Sequence, residues 1–158
     1  MKLFVQNKTV SLRLYPLLVT GIAAIVGGGV MSAAAARHPS YLSSWAVAYA
    51  VLVIGVVQIL IAVSVEHLAV AKISRRLVWT LFVLFNSGNA AVLIGTAQKY
   101  NSGNNNFVYV GGGAIAVAML IAIYSVRHAK ASWALIMYYV VVVIVMASMT
   151  IGMALSSS

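Results

Sequence analysis

The chain predicts an all-α fold, a five-transmembrane-helix bundle, on two observations. It holds five long apolar runs, and its lysines and arginines fall almost entirely before the first run and on every second loop. A helix rises about 1.5 Å per residue and a bilayer's hydrocarbon core is roughly 30 Å thick, so about 20 apolar residues are needed to cross. Each run is long enough, and none contains a charged side chain. With 63% hydrophobic and 7% charged residues and a mean hydropathy of +1.05, the composition is far from that of a soluble domain, where about a quarter of residues are charged. Residues 1–158 read as a single membrane domain.

The first run, Leu14 to Ala36, follows a basic start. Its small-residue ending, Ser32 to Ala36, suggests a cleaved secretory signal, but a signal core is about 7–15 residues and this run is of spanning length, so it reads as a retained helix. The second run is Ser44 to Val65, the third Leu77 to Ala97, the fourth Phe107 to Val126 and the fifth Ser132 to Leu155. Tyr15, Tyr41, Trp45, Trp79, Tyr100, Tyr109 and Trp133 stand near the run ends, where amphipathic rings favour headgroup depth. Between the third and fourth runs, Gln98 to Asn106 is rich in Asn, Ser and Gly and reads as a solvated turn.

Charge sets the orientation. Of the ten basic residues, all but Arg37 and Lys99 lie before the first run or in loops two and four. The positive-inside bias therefore places the N-terminus in the cytoplasm and the C-terminus outside, in the plasma (inner) membrane. The net charge of +9 is mostly this topology signal and suits anionic headgroups. Nucleic-acid binding would need a basic stripe on a soluble face, which the pattern does not offer. The absence of cysteine excludes disulfides, thiolate metal sites and thiol catalysis.

A weak parallel repeat is visible between residues 44–97 and 107–155. Ser64-Val65-Glu66-His67 and Ser125-Val126-Arg127-His128 share an ending, each followed by a basic loop and a tryptophan. Small residues are grouped as helix-packing seams: Gly27-Gly28-Gly29 with Ser32 and Ala36, Ala91 with Gly95, Gly111-Gly112-Gly113, and Ser148 with Gly152. Without side-chain bulk two backbones approach closely, and such contact drives helix association in lipid.

Polar residues within the spans need partners, because each costs free energy in hydrocarbon. Gln58 lies about eight residues, ~12 Å, from the basic end of the second span, and Asn86 about nine, ~14 Å, from that end of the third. Asn89 shares Asn86's face. Gln58, Asn86, Ser87 and Asn89 are thus expected to meet, as an interhelical clasp or as a small-solute site. Tyr138 and Tyr139 are deep enough for at least one hydroxyl to need a partner. Glu66, the sole acid, is expected to pair with Lys72, Arg75, Arg76 or Arg127, and reads as too shallow for proton coupling, which needs a carboxyl desolvated within the bilayer. His67 and His128, at the ends of the second and fourth spans, would suit the axial positions of haem b, with arginines for its propionates. His38 has no matching ligand set, and Met146, Met149 and Met153 form a stripe that serves packing or copper(I).

Catalysis finds no acid pair, no nucleophile with a histidine and carboxylate, and no phosphate loop. The leading expectation is a non-catalytic small membrane subunit, packing with other membrane chains or with itself. The alternatives are a small-solute transporter or channel using the amide cluster, and a haem-binding electron carrier.

Overall fold

The computed structural model describes residues 11–69, 73–102 and 105–157; Lys2, Lys8 and Lys72 lie outside the described residues, as do the side-chain surroundings of Tyr100 and Gly152. It is all-helical, with five helices long and apolar enough to cross a membrane. They are α1 (Tyr15–Ala35), α2 (Tyr41–Leu68), α3 (Arg75–Ser102), α4 (Asn106–Ser125) and α5 (Trp133–Ser157). Several are longer than the apolar runs alone suggest, because helix continues into polar flanks such as Gln98 and Lys99.

The starts are set by local chemistry. Pro16 sits in the first turn of α1, where its missing N–H costs nothing. Ser40 and Ser43 form a capping box: the Ser43 N–H donates to Ser40 Oγ and the Ser40 N–H to Ser43 Oγ, each at 3.1 Å. Ser74 Oγ accepts from the Leu77 N–H (3.2 Å) at the head of α3, and Ser132 Oγ from the Leu135 N–H (3.3 Å) at the head of α5.

The middle of α2 is not α-helical. Ala50–Val56 is wound as a π-helix, and its wider turn is marked by the Val57 N–H reaching back to Leu52 O. Gly55 lies in this segment and is buried against α1.

Two antiparallel pairs, α1 with α2 and α3 with α4, make the most extensive contacts. Each closes on a reciprocal glycine pair. A Cβ on Gly21 would stand 2.9 Å from Gly55 O, and one on Gly88 would stand 2.9 Å from Gly111 O. Gly28 fits against Val51 in the first pair, Gly95 against Val108 in the second. The flanking residues match as well: Ile59 covers Gly21 as Ile115 covers Gly88, and Ile25 meets Gly55 as Val92 meets Gly111.

The sequence carries the same register. Leu14, Leu17, Gly21, Ala23, Ala24 and Gly28 recur at unchanged spacing as Leu81, Leu84, Gly88, Ala90, Ala91 and Gly95. The repeat read from 44–97 and 107–155 divides the chain differently, pairing α2 with α3, which meet through long side chains. α5 rests on α4, with Met153 over Gly112, and on the Val57–Leu68 half of α2. Phe85, Leu17, Ile61, Ile115, Met119 and Val142 are fully buried at the centre. α1 and α5 are peripheral, with 17% of their apolar windows buried against 39% in α4.

Candidate functional site

The interior polar groups converge between α2 and α3. Gln58 Nε2 donates to Asn86 Oδ1 (3.0 Å) and Asn86 Nδ2 donates to Gln58 Oε1 (3.1 Å), a reciprocal amide pair. The second proton of each amide also has an acceptor, Ile54 O (3.0 Å) for Gln58 and Phe82 O (2.8 Å) for Asn86. Ile54 belongs to the π-helical segment, so the glutamine ties that widened turn to the clasp. Nearby, the Tyr49 hydroxyl donates to Asn89 Oδ1 (2.7 Å), while Asn89 Nδ2 donates to Phe85 O (2.6 Å). Gln58 and Asn89 are essentially inaccessible.

The sequence thus brings Gln58, Asn86 and Asn89 to one seam, but not Ser87. That residue is exposed on another face and its hydroxyl donates to Val83 O (2.7 Å), because adjacent positions on a helix do not share a face. Tyr49, the residue immediately before the π-helical segment of α2, is a member of the network that spacing alone did not reveal. Tyr138 is buried beside Tyr139, and its hydroxyl has no partner among the described residues.

Apart from Arg37 and Lys99, the charged groups among the described residues collect at one end of the bundle, called the basic end below. Glu66 accepts from the Ser11 N–H (3.2 Å), and Arg13 Nη1 donates to Ile73 O (3.0 Å). These bonds tie the chain before α1 to the end of α2 and the loop after it. The carboxylate thereby meets a backbone donor, and the described contacts include no ion pair to Arg75, Arg76 or Arg127. The first two arginines are exposed; the guanidinium of Arg127 lies 3.6 Å over the Tyr124 ring and donates to Tyr124 O (3.0 Å). His67 Nδ1 lies 2.8 Å from Val63 O, and both His67 and His128 are exposed rather than enclosed between helices.

The small-residue seams are partly redistributed. Gly28, Gly95 and Gly112 lie in close helix contacts and Ala91 is half-buried, whereas Ser32 and Ser148 are exposed and Gly27, Gly29 and Gly113 face open space. Gly21, Gly55 and Gly88, which make the reciprocal glycine contacts, are not among the predicted seam residues; the seven-residue spacing of Gly21 to Gly28 and Gly88 to Gly95 is a signal that could have found two of them. Along the methionine stripe Met146 and Met149 pack against the core, and Met149 and Met153 line a cavity at the other end.

That cavity, of about 720 Å³, lies between the first two-thirds of α2 and the second half of α5, with α3 and α4 behind it. Its walls are mainly aliphatic, with Tyr41, Trp45 and Tyr49 on one side and Thr96 and Lys99 at the end of α3. Comparison of the chain with protein-family models, curated proteins and solved structures returned no match.

Proposed function

We propose that the protein is a non-catalytic subunit of the plasma membrane, N-terminus in the cytoplasm, that associates laterally with other membrane chains or copies of itself. The observation that carries this reading is the inequality of two equivalent helix faces. In the register that superposes Gly21 on Gly88, Val19 and Ile22 of α1 correspond to Asn86 and Asn89 of α3. The α3 face is clasped to α2, whereas Val19 and Ile22 are exposed, continuing along one helix face to Val26 and Gly29. A face whose counterpart is an interface is thus apolar and open, and Gly29 gives it one small-residue position at which a neighbouring helix can approach closely in lipid.

The closed amide network supports the same reading over solute transport. Every amide proton of Gln58 and Asn86 is donated to a protein acceptor, so a solute would have to displace bonds already made.

Extraction in a mild detergent followed by native mass spectrometry tests the proposal. The expected particle is heavier than one 16.7 kDa chain. Gly29→Leu should release the single chain without unfolding it, because a Cβ there meets nothing within 4 Å. A lone chain that moves solute in liposomes would overturn the assignment.

A further inference from the structure

We infer that the lateral association proposed above, on which this reading rests, is with a second copy of the chain, α4 of one copy docking head to tail on the open α1 face of the next. The repeat supplies the template. Within one chain α2 of the first pair is clasped to α3 of the second. Between chains α4 occupies the place of α2, and α1 of the next copy the place of α3.

The α4 half of the contact follows from register. Gly55 superposes on Gly111, Ile59 on Ile115 and Ala62 on Ala118, so Gln58, Ile61 and Val65 of α2 correspond to Ala114, Val117 and Ile121 of α4. The three α2 residues share a helix face and are buried. Of their counterparts, Val117 is exposed and Ala114 and Ile121 are half-buried. α5 leaves this stripe uncovered, because its Met153 meets α4 at Gly112, two residues before Ala114 and so about 200° away round the helix.

The two open faces also match in chemistry. Where Gln58 meets Asn86 inside the chain, the corresponding residues are Ala114 and Val19. Both members of the amide pair are thus apolar in the second setting, and neither face brings an amide that the other leaves without a partner in hydrocarbon. Val19, Ile22 and Val26 on α1 are exposed. Successive spans alternate in direction, so α1 runs with α3 and α2 with α4, and a copy placed this way keeps the orientation of its neighbour in the membrane. The contact is heterologous: each copy offers α4 on one side and α1 on the other, which extends the assembly until it closes as a ring.

The chain has no cysteine, so introduced thiols report the contact directly. Full-length Val19→Cys chains are coexpressed with Ala114→Cys or Val117→Cys chains carrying a different affinity tag, and the membranes are oxidised with copper phenanthroline. At least one pairing should give a band at twice the 16.7 kDa chain mass that bears both tags, lost when either variant is expressed alone. Val83→Cys, at an exposed α3 position outside both stripes, should lose the band when it replaces Val19→Cys. Dimers formed by Val19→Cys alone would overturn the head-to-tail contact while leaving lateral association standing. So would the absence of any mixed dimer from a particle that native mass spectrometry shows to be heavier than one chain. A lone chain in those spectra would remove both.

Discussion

The pair α1–α2 and the pair α3–α4 close on the same contact yet spend their remaining surfaces differently. Both bring a glycine carbonyl against a facing glycine, and both place an isoleucine over the first of them. In the second pair the α3 face beside this seam carries two asparagines and is fastened to α2; in the first the equivalent face carries Val19 and Ile22 and is exposed. Backbone approach between paired helices is thus a property of the repeat, while attachment between pairs is decided by which side chains occupy one neighbouring stripe.

The largest effect should come from breaking the shared contact. Gly88→Val and Gly21→Val each drive side-chain atoms against a backbone carbonyl, and each should lower stability by about 3 kcal/mol or more, since overpacking at a rigid contact is costly. Unfolding in detergent by stepwise addition of sodium dodecyl sulfate measures both. A silent Gly21→Val beside a disruptive Gly88→Val would show that the two pairs are not equivalent.

Next comes the attachment between pairs. Asn86→Leu leaves the buried Gln58 amide without its partner and should cost about 1–2 kcal/mol in the same titration. Adding Gln58→Leu should recover most of the loss, because replacing both partners by apolar groups removes the orphaned donor. Full additivity of the two changes would show that the amides act separately.

Smaller still is the consequence of altering the open face. Ile22→Ala and Gly29→Leu should each move the stability of the single chain by no more than about 0.5 kcal/mol, as expected away from packed features, while shifting particle mass in native spectra. Tyr138→Phe should have the least effect, neutral to slightly stabilising, since its hydroxyl has no partner among the described residues. A clear destabilisation would reveal a bond to that hydroxyl.

Much of this arrangement is legible in the sequence because hydropathy and helix length act over whole segments. The five helices fall where the apolar runs lie, and the meeting of Gln58 with Asn86 follows from matched depth on antiparallel neighbours. Ser87 illustrates where such reasoning fails: adjacency in sequence is not adjacency on a face. Glu66 illustrates another gap, because charge counting points to arginines while an unpaired N–H just before α1 takes the carboxylate. The glycine triplets drew attention by density, yet only Gly28, Gly111 and Gly112 of those six meet another helix at close range. Spacing at seven residues, which returns to nearly the same face after two turns, is the signal that would have found Gly21 and Gly88.

The π-helical stretch Ala50–Val56 has no such mark, being an aliphatic run without proline or polar residues. Its consequence is rotational. A helix that winds wide for part of its length reaches its second half turned relative to an unbroken α-helix, and that offset lets Tyr49 before it and Gln58 after it address the same neighbour. Excising one residue from the stretch would let it rewind as ordinary α-helix and leave everything after it nearly in its present orientation, because the wide winding takes up about one residue's 100° of rotation. The glutamine would keep its asparagine, whereas winding all seven residues as α-helix would turn it away and cost the bundle its alignment.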